Sequence, residues 1–173
     1  MLEANLGLKM TEALLLGLIL IVGTALRLFY LGHKSLWLDE AAVLKISSKT
    51  VPAIMQYEYE PHPRLYHILL HFWLSIGQTE FLIRLPSAIF GIFSILVLFK
   101  ISREWYDSHQ ALLAALLLSI SPFHVWYSQE ARMYSLVCFC GLLSVYFYTK
   151  ALKSNAIFPW IGFVVATVAG LYT

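Results

Sequence analysis

Arg64-Leu65-Tyr66-His67-Ile68-Leu69-Leu70-His71-Phe72-Trp73-Leu74-Ser75-Ile76 is the stretch on which the topology turns. It is apolar but only thirteen residues long. As an α-helix it extends roughly 20 Å, against a bilayer core of roughly 30 Å. Pro63 precedes it and Gly77-Gln78-Thr79-Glu80 follow it, so it has no room to lengthen. Tyr66, His67, His71 and Trp73 favour the membrane–water interface. The stretch therefore reads as an interfacial or re-entrant helix, not a crossing.

Longer apolar runs lie on both sides of it. Met10 to Leu31 comes before, interrupted only near its ends by Thr11, Glu12, Thr24 and Arg27. Residues 81–101, 108–127, 133–149 and 157–173 come after, separated by short polar connections. A span needs about 20 such residues. Composition agrees: 60% of the 173 residues are hydrophobic and 13% charged, against about 25% charged in soluble domains. Mean hydropathy is +0.72. The expectation is an all-α polytopic membrane protein with about five transmembrane helices, residues 1–173 forming one transmembrane module. The last run stops at Thr173 without a polar exit. The fifth helix is thus expected to be cut short, and the chain to be the N-terminal part of something longer.

Gly32 to Gln78 carries Lys34, Asp39, Glu40, Lys45, Lys49, Glu58, Glu60 and Arg64, so most of it lies outside the bilayer core. Residues 32–80 read as a catalytic loop with two or three interfacial helices. Ser35 is placed to cap one, and Thr50 with Pro52 to start another. Net charge of +2 gives no reason to expect a nucleic-acid partner. Cys138 and Cys140 point to different faces of one apolar helix and are not expected to pair.

The crossing count decides which groups meet. If 64–76 does not cross, the first loop and the Ser128–Arg132 connection share a side, and Asp39, Glu40 and Glu130 can come together. If it crosses, Glu130 lies on the opposite face. Lys100 with Arg103, and Lys150 with Lys153, mark the other turns as cytoplasmic by charge density. By raw count the first loop holds as many cations.

Each candidate group has two readings. Asp39-Glu40 is a pair of acids favoured by a helix dipole, or a general base with a neighbour that binds a metal or raises its pKa. Glu130 caps a membrane hairpin with Arg132, or is a second acid with Arg132 as counter-charge or phosphate ligand. Arg84 snorkels to the interface or binds a lipid phosphate, and Arg27 has the same alternatives. Glu60 and His62, the latter held between Pro61 and Pro63, form a rigid polar turn or offer two ligands to a divalent cation. His67 and His71, four apart on one helix face, resemble a zinc pair without a third ligand; interface histidines are the simpler reading. No Walker loop, GxGxxG, Ser-His-Asp pattern or CxxC is present. A phosphorylated substrate would be met by isolated Arg and His side chains, with a metal, at the membrane edge.

Four stretches carry a family resemblance: Ser35-Leu36-Trp37-Leu38-Asp39-Glu40, Pro61-His62-Pro63-Arg64-Leu65-Tyr66, Arg84-Leu85-Pro86-Ser87-Ala88, and the run from Ser121 to Tyr134 containing Trp126-Tyr127-Ser128-Gln129-Glu130-Ala131-Arg132. In type and order they resemble GT-C membrane glycosyltransferases, in particular the protein O-mannosyltransferases of family 39 and aminoarabinose-transferase relatives. The resemblance implies inverting transfer of a hexose or pentose from a polyprenyl-phosphate donor to a hydroxyl of a protein, lipid or glycan. It implies an extracytoplasmic site on the cell membrane. Asp39 matches the catalytic base, Glu40 its neighbour, Glu130 the second acid, and Arg84 an arginine near the site. His62 matches a His-Pro-Pro or Lys-Pro-Pro motif near the donor phosphate and a divalent metal. The motif's second proline is Arg64 here, which adds a phosphate contact or loosens the turn. Such enzymes have further spans and often a soluble domain beyond these 173 residues. The alternative is therefore a non-catalytic truncated membrane protein or subunit that binds lipid or a partner chain.

Overall fold

The computed structural model describes residues 2–57 and 63–173, with the side chains of residues 2–9 excepted. The described residues form helices and connections without strands. In chain order these are α1 (Leu2–Leu28), α2 (Leu38–Ser47), α3 (Val51–Met55), α4 (Leu65–Trp73), α5 (Glu80–Trp105), α6 (Ser108–Ile120), α7 (Pro122–Ser128), α8 (Tyr134–Leu152) and α9 (Ile157–Leu171). Met10–Leu28 of α1, with α5 and α8, is long and apolar enough to cross a membrane. The pair α6 and α7, bent by 58°, is long and apolar enough only when taken together, which gives three or four candidate spans among the described residues. α9 is apolar but has only 15 residues. This is an all-α polytopic membrane architecture.

The single span expected over 108–127 is broken at Ser121-Pro122. The residue before a proline is driven out of the helical region, and Ser121 adopts φ −60°, ψ 116°. Its hydroxyl accepts the His124 amide at 3.5 Å. One residue thus closes α6 and opens α7, with Pro122 in the first turn, where no amide donor is needed. The α2 cap also differs from expectation. Trp37, not Ser35, is the N-cap, and the Glu40 carboxylate accepts the Trp37 amide at 3.3 Å. Thr50 does open α3, with Pro52 in its first turn.

α4 has nine residues, about 14 Å of helix, and does not cross. The first loop leaves and returns at one end: Arg84, early in α5, donates to the Leu31 carbonyl just beyond α1 at 2.8 Å. At that same end the Ala131 amide donates to Glu40 at 2.9 Å, and the Leu65 amide to the Tyr172 carbonyl at 2.8 Å. α4 instead lies over the bundle, where Tyr66, Leu70 and Leu74 bury against Val43, Ile83, Ala131, Met133 and Leu136. The opposite end carries Glu12–Arg103 at 2.7 Å and Glu104 with Lys150 at 2.6 Å and Lys153 at 3.2 Å.

Candidate active site

Everything at the loop end is built on Glu40, in the first turn of α2 and 1% exposed. Its Oε1 accepts the Arg84 Nε–H at 2.8 Å and the Ala131 amide at 2.9 Å. Its Oε2 accepts an Arg84 Nη2–H at 2.7 Å and the Trp37 amide at 3.3 Å. Four donors therefore fill the roughly four acceptor positions of a carboxylate. Burial, the largest single influence, pushes the Glu40 pKa up. The Arg84 bonds and charge with the two amides outweigh it and hold the acid below its usual range. Glu40 is thus an ionised, fully satisfied anchor.

Arg84 is equally committed. Besides its bidentate bond to Glu40, it donates to the carbonyls of Leu31 and Lys34 at 2.8 Å each and Ser35 at 3.1 Å. A guanidinium has five N–H donors, and these bonds use them all. Arg84 therefore has no donor left for a lipid phosphate in this arrangement. Its charge neutralises Glu40, and its fork shapes the Leu31–Ser35 turn.

One residue earlier, Asp39 points a different way. Successive helix positions are about 100° apart, so burial of Glu40 turns its neighbour outward. Asp39 is 42% exposed and meets Arg132 Nη1 at 3.2 Å. Arg132 is itself nearly buried. Its Nη2 reaches the Tyr134 hydroxyl at 3.5 Å, and its guanidinium sits 5.6 Å from the Tyr134 ring centre. The Arg132 carbonyl accepts the Ser87 hydroxyl at 3.1 Å, and Ser87 bonds Tyr66 at 2.8 Å. This chain fixes the loop after α7 onto α4 and α5.

Glu130 lies in that loop. The Trp126 indole N–H donates to its Oε1 at 2.8 Å. Burial raises its pKa, the Trp126 bond opposes this, and the Glu40 charge adds to the rise. Glu130 lines a cavity of ≈ 520 Å³ between the end of α1 and α7. Phe29, Tyr30, Trp37, Val125 and Trp126 supply apolar walls, and Glu40 and Arg84 sit in the inner wall. Lys34 also lines the cavity, and its ammonium makes no ion pair among the described residues. Nothing in the sequence singles out Lys34, since a loop lysine is ordinary. Nor did it reveal Trp126 as the partner of Glu130, although the two are four apart.

The structure thus brings Asp39, Glu40, Arg84, Glu130 and Arg132 to one end. Arg64 sits apart at the start of α4, where it donates to the Tyr57 carbonyl. Glu60 and His62 lie outside the described residues. Among the described residues no group of three or more His, Cys, Asp or Glu side chains could hold a metal ion. His67 and His71 face α2: a His71 Nδ1–H donates to the Ser47 carbonyl at 2.9 Å, and His67 lies 3.4 Å from the Ser47 hydroxyl.

No solved structure matches the chain. The family model for dolichyl-phosphate-mannose-protein mannosyltransferases matches residues 61–173, which hold Arg84, Glu130 and Arg132 but follow Asp39 and Glu40. That is more than half of the sequence, and the chain belongs to this GT-C-type membrane glycosyltransferase family.

Proposed function

We propose that this end of the molecule serves inverting transfer of a sugar from a polyprenyl-phosphate donor to an acceptor hydroxyl. The carrying observation is the apolar-walled cavity lined by Lys34 and Glu130, with the neutralised Glu40–Arg84 pair in its inner wall and Asp39 held by Arg132 in the same loop as Glu130. The family description supports the donor class, a lipid-phosphate mannose. Asp39, half-buried and oriented by Arg132, takes the hydroxyl proton. The acceptor oxygen attacks the anomeric carbon, and the bonding pair leaves with the lipid phosphate oxygen. Lys34 stabilises the departing phosphate's charge from the cavity wall. In this reading it takes the role that the sequence offered to Arg84. The cations Lys100, Arg103, Lys150 and Lys153 gather at the opposite end, which supports an extracytoplasmic site.

The test is transfer from a radiolabelled polyprenyl-phosphate mannose by full-length protein in membranes. Asp39→Asn abolishes transfer while membrane expression persists, and Lys34→Met raises KM for the donor. Normal transfer by Asp39→Asn refutes the assignment of the base.

A further inference from the structure

The break in the third crossing leaves a specific debt of hydrogen bonds. Pro122 has no amide hydrogen, so the Leu118 carbonyl four residues earlier loses its α-helical partner and keeps only a long 3.4 Å bond from the Ser121 amide. The Ser119 carbonyl also lies in the last turn of α6. Arg27, near the end of α1 and 0% exposed, covers both. It donates to Ser119 O at 3.0 Å, Leu118 O at 3.2 Å, and Gly23 O of its own helix at 2.8 Å. It also meets His124 Nδ1, in α7, at 2.8 Å. A guanidinium only donates, so His124 accepts there and carries its hydrogen on Nε2.

The exchange runs the other way at the end of α1. Gln129, one residue past α7, directs its amide nitrogen to Leu26 O and Phe29 O at 2.9 Å each and to Arg27 O at 3.4 Å. α1 unwinds there through Tyr30, whose φ of +57° is unusual for a residue with a side chain. Space for the guanidinium depends on two glycines. A Cβ on Gly91 would lie 2.7 Å from Ser128 Cβ and 3.1 Å from Arg27 Nε; one on Gly23 would lie 2.6 Å from Ile95 Cδ1 and 3.3 Å from Arg27 Nη1.

We propose that Arg27 and Gln129 form a two-part latch, Arg27 of α1 capping the end of α6 and Gln129, just past α7, capping the end of α1, and that this latch holds the α6–α7 bend and so aims Glu130 at the cavity. Both are positioning residues. The catalytic half of the proposal rests on the sugar-transfer reading; the conformational half does not.

The experiment uses the full chain in lipid nanodiscs, with Cys138→Ser and Cys140→Ser and spin labels at Leu113 and Phe123, both exposed. The parent gives one narrow interlabel distance. Arg27→Lys keeps the charge but loses the fork. Gln129→Glu keeps the shape but turns an acceptor toward carbonyls, at a part-exposed site that tolerates charge. Each variant broadens the distribution about twofold, and the double variant broadens it no further, as expected for one shared latch. An unchanged distribution in Gln129→Glu, or additive broadening, overturns the latch. Transfer by the same samples falls about 10²-fold in kcat with donor KM unchanged. Full kcat in a broadened variant overturns the positioning of Glu130. A parent without transfer overturns the sugar-transfer reading, while the distances still decide the latch.

Discussion

Glu40 and Arg84 set the energetics at the scale of single residues. Their side chains are 1% and 7% exposed, and removing one partner of such a pair costs about 3–5 kcal/mol. Arg84→Gln and Glu40→Gln should each destabilise by that amount, read as thermal unfolding in detergent. The pH dependence has a definite sign. Glu40 is held below its usual range, so the folded protein binds its proton less readily than the unfolded chain. Its contribution is present above the ordinary glutamate value of about 4.3 and is lost as pH falls from there through the lower folded value. Glu40→Gln should flatten that acid limb, and an unchanged limb would assign it to other groups. The sequence marked both acids as a functional pair but not which one lies inside. That depends on the helix phase and on an arginine 44 positions away. For Arg84 the two readings weighed were anchor and phosphate ligand; a buried ion pair was neither, because its partner came from another element.

At the scale of elements, α4 was legible because even its thirteen-residue apolar stretch is too short to span. The α6–α7 break was not. Hydropathy runs on through Ser121-Pro122, and a proline late in a span is compatible with a straight helix whose neighbours satisfy the backbone. Cysteine accessibility tests the topology. In a Cys138→Ser, Cys140→Ser background, His33→Cys and Ser75→Cys should react with an impermeant maleimide from one side of a vesicle, and Lys153→Cys from the other. Labelling of Ser75→Cys on the side of Lys153→Cys would mean that α4 crosses.

The two ends of the whole molecule are held by different physics. The loop end depends on buried, fully bonded charge. The other end depends on Glu104 with Lys150 and Lys153, whose ammonium side chains are 41% and 44% exposed. Exposed pairs contribute less than about 1 kcal/mol and weaken with salt. Glu104→Gln should therefore shift the unfolding temperature much less than Arg84→Gln, and its effect should shrink in high salt while that of Arg84→Gln persists.

The outward turn of Asp39 and the inward turn of Glu40 have one more consequence, for chain length. Both carboxylates hang from one helix whose phase is set by the turn from Leu31 to Ser35, pinned through three backbone carbonyls to Arg84. Adding or deleting a single residue between Gly32 and Trp37 would rotate the pair by about 100°. Either change moves the anchoring carboxylate off the arginine; an insertion puts the reactive one in its place, and a deletion puts Ala41 there. Apart from Lys34, and from Gly32 where a Cβ would lie 2.9 Å from Phe81 Cβ, substitutions in this connection keep that phase, whereas a change in its count does not.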